Sequence, residues 1–278
     1  MSEEDLKLIL FGALFSACSM LAFVIFRRGG RPSAKAAVFA AGAGLFTTMF
    51  LGAIYKYALS DLPIVHKLLG RKTVEEQVAK YGSLARTRIQ PAFKQANSSY
   101  PPPRVTLIGL KKEAQLQVYA PDKAGVNRLI RMYPILGLSG HAGPKLANMD
   151  MQVPEGFYKI EAFQPTTPYH LALRLNYPNE FDKTRAAEDK RSSLGSDIMI
   201  HGDVGSIGCL AMGDQASEDL FILASDTGLN NITVLLLPCD LRNSKQPQVQ
   251  GPKWIGKLYL DLGQALRQYP LSPPAGNH

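Results

Sequence analysis

The stretch "IMIHGDVGSIGCLAMGD", residues 198–214, combines a histidine, a serine and a cysteine with four glycines. His201 and Cys209 are eight positions apart, and the residues that lead into His201 are mainly apolar. We expect a strand over 198–201 that ends at Gly202, followed by a tight return over 203–208. The glycines allow the left-handed backbone conformations that such a turn needs. The return would bring Cys209 back beside His201.

This pairing predicts a nucleophilic cysteine. The thiolate is the reactive form, and a free cysteine with a pKa of about 8.5 is mostly protonated at neutral pH, so a base such as His201 is needed. Backbone amides at Gly208 and Cys209 are candidates for an oxyanion hole. The alternative is that Cys209 is a small buried apolar residue, the commoner role of cysteine and one that suits Cys18 and Cys239. A Cys209–Cys239 disulfide is a further alternative, and it would abolish the nucleophile.

Outside this stretch, the sequence from residue 104 onward consists of short β-rich runs separated by glycine, proline and asparagine clusters. That texture predicts a mostly antiparallel sheet or sandwich. Helical spacing predicts an amphipathic helix over 73–93 and further helices over 214–228 and 254–268, with a buried strand at 231–240. We therefore divide the chain into an anchor (1–60), a stalk with a lead-in helix (61–100), a main domain (101–270) and a tail (271–278).

Two amino-terminal segments, 8–26 and 36–55, contain no charged residue over 19 and 20 positions. Each is long enough to cross a bilayer as a helix, so we predict a transmembrane hairpin. A signal peptide is the alternative for the first segment, although its start is acidic, and a buried helix is the alternative for the second. The short basic loop from Arg27 to Lys35 is expected in the cytoplasm, so the main domain is expected on the opposite side of the membrane. Basic residues after the second span argue for the opposite orientation.

The formal charge of +8 raises the question of nucleic-acid binding. No basic stripe with interleaved aromatic residues and no zinc-finger spacing is present in the sequence, so we expect no nucleic-acid partner and assign the charge to a surface near the membrane. The histidines do not cluster with cysteines or acids at ligand spacing, and His141 is interpreted as a loop residue. We therefore expect neither a metal site nor a cofactor.

The segment "IHGDVGSIGCLAM", residues 200–212, resembles the HG…SxGC signature of the L,D-transpeptidase catalytic domain, the YkuD-like family that acts on peptidoglycan. A second block, "GPKLANMDMQVPEGFYKI" at 143–160, lies upstream in the expected order, and "YHLALRLNYPNEFD" at 169–182 is similar to the YafK-like branch. The likeness covers roughly residues 71–270. It implies an α+β fold with a β-sandwich and peripheral helices, which the transmembrane hairpin would precede.

The resemblance implies roles for individual residues. Cys209 would be the nucleophile and His201 its general base, with Gly208 and Cys209 as oxyanion donors and Ser206 as a supporting hydrogen-bonding group. Residues in the branch-matching stretches are candidates for substrate binding: Lys145, Glu155, Tyr158, His170 and Asn176. The chain departs from many members of the family by having Ile207 in place of a histidine and Ala211 in place of an arginine or asparagine.

The implied protein is a multi-pass inner-membrane enzyme with its catalytic domain in the periplasm. Its thiolate would attack the carbonyl at the L-centre of diaminopimelate in a peptidoglycan stem peptide and form a thioester. We favour water as the acceptor, hence hydrolysis of a cross-link or of a lipoprotein attachment, because Ala211 cannot hold an incoming amine substrate. The alternatives are a transpeptidase that forms such bonds and, from a different class, an inactive peptidoglycan-binding module.

Overall fold

The computed structural model describes residues 71–242 and 246–271, and the described residues from Lys72 onward belong to one compact unit. The helices of this part are α1 (Val74–Gln95), α2 (Glu180–Glu188), α3 (Asp214–Thr227) and α4 (Trp254–Leu266). Its strands are β1 (Val105–Leu110), β2 (Gln115–Pro121), β3 (Asn127–Pro134), β4 (Gly137–Leu138), β5 (Gly156–Thr167), β6 (His170–Leu175), β7 (Met199–His201), β8 (Leu210–Ala211) and β9 (Ile232–Leu237).

All of these strands belong to one sheet, in the order β3-β2-β1-β9-β5-β6-β7-β8-β4. Strands β1 and β9 pair in parallel, as do β7 and β8, and the other neighbours are antiparallel. Strand β5 joins the two halves, since residues 156–159 pair with β9 and residues 160–167 pair with β6. The predicted β-sandwich is therefore wrong: the described residues form a mixed α/β fold with one large sheet.

The sheet is strongly curved, because its two edge strands follow each other in the chain. Strand β3 ends at Pro134 and β4 begins at Gly137, yet β3 pairs with β2 while β4 pairs with β8 at the other edge. The Leu136 amide already donates a hydrogen bond of 2.8 Å to the Ala211 carbonyl. Two residues thus connect the opposite edges of the sheet.

Alternating side chains of the central strands enter two separate cores. In β1, Val105 and Leu107 belong to a core that also includes residues of α1 and α3, whereas Ile108 and Leu110 belong to a second core formed with α4. Full burial of such side chains stabilises the fold by about 1.5–3 kcal/mol each. The central strands are therefore covered by helices on both faces, which explains their almost continuous apolar sequence.

The predicted helices are present with nearly the expected bounds. Helix α1 begins after a capping box in which Thr73 accepts a hydrogen bond from the Glu76 amide and Glu76 accepts one from the Thr73 amide. This arrangement satisfies two amides that the first helical turn leaves unpaired. The predictions of helices over 73–93, 214–228 and 254–268 and of a strand within 231–240 are confirmed.

The predicted membrane anchor needs correction. In residues 71–242 and 246–271 no helix combines the length and the apolar composition needed to cross a membrane. The two predicted spans, 8–26 and 36–55, lie outside the described residues, so the transmembrane hairpin is not part of the fold described above. The predicted multi-pass localisation in the inner membrane depended on that hairpin and is not supported.

Candidate active site

Strands β7 and β8 position the cysteine and the histidine. They pair in parallel with Ile200 opposite Leu210 and His201 opposite Ala211, and the Met199 amide lies 3.4 Å from the Cys209 sulfur. Paired residues project to the same face of a sheet and successive residues to opposite faces. Ile200 and Leu210 belong to the core, so His201 and Cys209 share the other face.

The turn before Cys209 is closed by two serines. Ser206 Oγ accepts a hydrogen bond of 3.1 Å from the Cys209 amide and donates one of 2.5 Å to the Cys209 carbonyl. The Gly208 amide donates to Ser139 Oγ at 2.6 Å, and Gly208 has a φ of +94°, which favours glycine. Both amides predicted as oxyanion donors therefore contact a serine hydroxyl in this structure.

His201 is almost fully buried, and its environment selects one tautomer. Its Nδ1 lies 2.5 Å from the Gly202 carbonyl oxygen, which can only accept a hydrogen bond, so Nδ1 carries the proton and Nε2 is the basic nitrogen. The Tyr169 ring packs 4.9 Å from the imidazole, measured between ring centroids. Burial lowers the pKa of His201, against the opposing effects of the Gly202 carbonyl and the charge of Asp203.

Burial also raises the pKa of the Cys209 thiol. The Met199 amide and the positive charge of Lys145 act in the opposite direction, while the charge of Asp197 raises the pKa further. The thiol lies 3.7 Å from the Asp197 carbonyl oxygen, and the described residues include no hydrogen bond between the His201 and Cys209 side chains. At neutral pH the environment thus favours a neutral thiol and a neutral imidazole on one face of the sheet.

Two of the predicted substrate-binding residues lie in the interior. Glu155 is buried, pairs with Lys111 at 2.9 Å and accepts hydrogen bonds from Tyr259 (2.6 Å) and from the Gly143 amide (2.9 Å). Burial lowers the pKa of Lys111, and the charge of Glu155 opposes this effect. Tyr158 is also buried, with its hydroxyl 3.2 Å from Asp182. These contacts connect the end of β1 and the start of β5 with α2 and α4.

The other three predicted substrate residues lie nearer the surface or the thiol. Lys145 is mostly buried and paired with Asp150 at 2.6 Å, while His170 lies 3.2 Å from Glu218. Asn176 accepts a hydrogen bond from the Lys159 amide. Among these three, Asn176 lines a cavity of about 520 Å³ that extends to Asp197, the residue whose carbonyl contacts the Cys209 sulfur.

The sequence did not single out Ser139, Met199 or Tyr169 as part of this site. Each reaches it through strand pairing or a turn, and of the three only Tyr169 lies in a stretch quoted above as resembling the family. Cys209 and Cys239 are not joined by a disulfide, so that alternative is wrong for this structure. The catalytic roles assigned to Cys209 and His201 stay predictions.

Comparison with known proteins adds the family relationship. The sequence matches no protein-family model. It is 37% identical over 114 residues to a protein described as "Putative L,D-transpeptidase YafK" in Escherichia coli K12, and equally to that of Escherichia coli O157:H7. Over this stretch the chain is similar to the YafK L,D-transpeptidases. The match covers 40% of this chain and 43% of the YafK protein, so the chain spans less than half of the length of the relatives it matches.

Solved structures with some similarity include the helical cell shape determining protein Pgp2 of Campylobacter jejuni and Bd1075 of Bdellovibrio bacteriovorus. For Pgp2 the identity is 22% and the TM-score 0.40, with 57% of this chain and 54% of Pgp2 covered. For Bd1075 the identity is 22% and the TM-score 0.36, with 62% of this chain and 58% of Bd1075 covered. Both TM-scores are low, so the sequence match to YafK is the stronger evidence of similarity.

Proposed function

We propose that this chain is a cysteine enzyme that hydrolyses amide bonds at the L-centre carbonyl of diaminopimelate in peptidoglycan stem peptides. The observation that carries the proposal is that Cys209 and His201 lie on the same face of the sheet. The contact of Nδ1 with the Gly202 carbonyl leaves Nε2 of the His201 imidazole as the basic nitrogen. The relationship to the YafK L,D-transpeptidases supports an enzyme of peptidoglycan as the broader class.

In the proposed reaction, Nε2 of His201 takes the thiol proton as the Cys209 sulfur bonds to the substrate carbonyl carbon. The C–N bond then breaks, the leaving amine receives that proton, and a thioester remains on Cys209. Water attacks the thioester with His201 again as base, the C–S bond breaks, and the thiolate takes the proton back. The products are a free carboxylate and a free amine, and the enzyme is restored.

We favour hydrolysis over transfer to an amine because residue 211 is an alanine. Ala211 is fully buried between β7 and β4, where it faces His201 on one side and Gly137 on the other. A methyl group enclosed in this way cannot hold the carboxylate of an incoming peptide, whereas an arginine could form two hydrogen bonds to it. The similarity to a protein described as an L,D-transpeptidase supports the second candidate, transpeptidation.

The test is to incubate the full chain in water enriched in oxygen-18 with three substrates: a tetrapeptide muropeptide, dimers cross-linked between diaminopimelates, and sacculi that carry attached lipoprotein. We expect release products with the heavy oxygen in the new diaminopimelate carboxylate, detected by mass spectrometry. Cys209→Ala should abolish release, whereas the matched variant Cys239→Ala should retain most of it.

Two results would count against the proposal. New cross-linked dimers as the dominant product, without hydrolysis of any substrate, would establish the transpeptidase instead. An intact chain that processes no substrate and whose thiol is not acylated by a carbapenem would favour the binding module.

A further inference from the structure

A charged cavity lies beside Cys209 and has no part in the proposed chemistry. It measures about 520 Å³, and the residues that line it include charged residues of both signs, namely Arg174, Lys183, Glu161, Glu180 and Asp197. Two positively and three negatively charged residues thus line one cavity. Such a mixture suits a ligand that itself carries both charges more than it suits a simple anion or cation.

Arg174 is placed to reach a ligand bound at the thiol. On β6 it lies directly opposite Met199 of β7, and Met199 in turn lies beside Cys209, so the three residues form a row across neighbouring strands. Residues in such a row share one face, and adjacent strands are about 4.8 Å apart. The backbones of Arg174 and Cys209 are therefore separated by roughly two strand spacings, or about 10 Å.

The hydrogen-bonding capacity of Arg174 is incompletely used. Its Nε is buried and has no hydrogen-bond partner among the residues that the structure describes. The nearest carboxylate oxygens, from Glu161 and Asp197, each lie 3.6 Å from the guanidinium, beyond good hydrogen-bond distance. A buried donor without a partner costs free energy, so a ligand carboxylate that accepts from Nε would remove this cost.

We propose that this cavity binds a zwitterionic amino-acid head group, with Arg174 holding its α-carboxylate and Asp197 and Glu161 holding its α-ammonium. This inference rests on the proposed function and adds the part of the substrate that is recognised. The head group and the carbonyl at Cys209 would be joined by a short aliphatic spacer, since the row across the sheet is only two strand spacings long. The free D-centre of diaminopimelate is a zwitterionic head group, and a short aliphatic spacer joins it to the L-centre carbonyl.

The test is a binding measurement that needs no turnover. Full-length Cys209→Ala chain is titrated with meso-diaminopimelate, with pimelate, which lacks the ammonium groups, and with 1,5-diaminopentane, which lacks the carboxylates, and binding is followed by NMR. We expect diaminopimelate to bind at least about tenfold more tightly than either analogue. Arg174→Gln in the same background should weaken its binding by at least about tenfold, the effect of losing a charge-assisted hydrogen bond.

The matched control is Arg104→Gln, an identical change at an exposed arginine outside this cavity, which should leave binding unchanged. Arg174→Lys keeps the charge but loses the planar fork and should fall between parent and Arg174→Gln. Circular dichroism checks that each variant is folded. Absence of diaminopimelate binding, equal binding of the analogues, or an Arg174→Gln variant that binds like its parent would each overturn the proposal.

The outcome is separable from that of the proposed function. A chain that binds diaminopimelate selectively but hydrolyses no stem peptide would overturn the hydrolase and leave the head-group site in place. Hydrolysis by the intact chain without selective binding of diaminopimelate would overturn the head-group site alone.

Discussion

At the scale of single residues, the environment of the Cys–His pair indicates when the proton moves. Burial disfavours the charged forms of both side chains, since it lowers the pKa of His201 and raises that of Cys209. A resting thiolate–imidazolium pair would need the opposite shifts. We infer that the proton is transferred from sulfur to Nε2 during the attack on the carbonyl, with a neutral pair in the resting enzyme.

This inference predicts a distinctive pH dependence. Because the working base is neutral His201 and its pKa is lowered, kcat/KM should stay high until the pH falls below about 6.5, the ordinary histidine value. Alkylation of Cys209 by iodoacetamide should have a midpoint above about 8.5, because the thiol pKa is raised. Rates measured across the pH range, with Cys209→Ala to subtract the reaction of Cys18 and Cys239, provide the test. An alkylation midpoint near neutral pH would indicate a resting ion pair instead.

At the scale of helices and strands, the sequence was informative where structure is local. The helices predicted over 73–93 and 254–268 and the turn from His201 to Cys209 could be read from the sequence, because periodicity and glycine spacing encode them directly. The single sheet could not, because β1 pairs in parallel with a strand that begins at Ile232 and β5 pairs with two partners. Nothing in a local window encodes such distant pairings.

The same limit applies to the candidate site. Glu155 lies in a stretch that resembles the family, and from sequence it was indistinguishable from a substrate contact. Its partners Lys111 and Tyr259 come from distant segments, Tyr259 from 104 positions away, and they make it a buried ionic centre. Ser139 reaches the Gly208 amide only because β4 closes the far edge of the sheet. The role of a polar residue whose partners are distant in sequence can be inferred only once the fold is known.

The buried centre predicts a large effect on stability. Glu155→Gln leaves the Lys111 ammonium buried without its carboxylate, and breaking a buried pair in this way costs about 3–5 kcal/mol. Denaturant unfolding should show this loss, while the control Glu188→Gln, which removes an exposed pair with Arg185, should cost less than about 1 kcal/mol.

A double variant, Lys111→Met with Glu155→Leu, removes both charges. It therefore distinguishes the free-energy cost of an unpaired buried charge from the cost of lost packing. It should regain part of the stability lost in Glu155→Gln. Equal unfolding free energies for Glu155→Gln and Glu188→Gln would show that the centre contributes no more than a surface pair.

At the scale of the whole described unit, helix α1 is connected to the helix that follows the candidate nucleophile. Arg86 pairs with Asp226 at 2.6 Å and Arg88 with Asp219 at 2.7 Å, and both acids lie on α3. Helix α3 begins at Asp214, shortly after Cys209 and β8. The segment interpreted from sequence as a lead-in helix therefore packs on the same core as the strands that carry the site.

Helix α1 offers a matched pair of positions to test whether the site depends on this packing. Phe93 is 1% exposed and enters the main core, whereas Leu84 on the same helix is 63% exposed. Phe93→Ala should destabilise the protein by about 3–5 kcal/mol, because it removes a buried ring and leaves a cavity. Leu84→Ala should change stability by less than about 0.5 kcal/mol, as is usual for surface positions.

Both variants would be measured by denaturant unfolding and by the rate of stem-peptide hydrolysis at rising temperature. Because α1, α3 and the strands share one core, hydrolysis by Phe93→Ala should be lost at the lower temperature at which the whole unit unfolds, while Leu84→Ala follows the parent. In Phe93→Ala, α1 could instead unfold before the rest of the unit, while hydrolysis continues up to the temperature at which the parent loses it. The helix would then be dispensable for the strands that hold Cys209 and His201. The segment would then behave as the stalk that the sequence predicted.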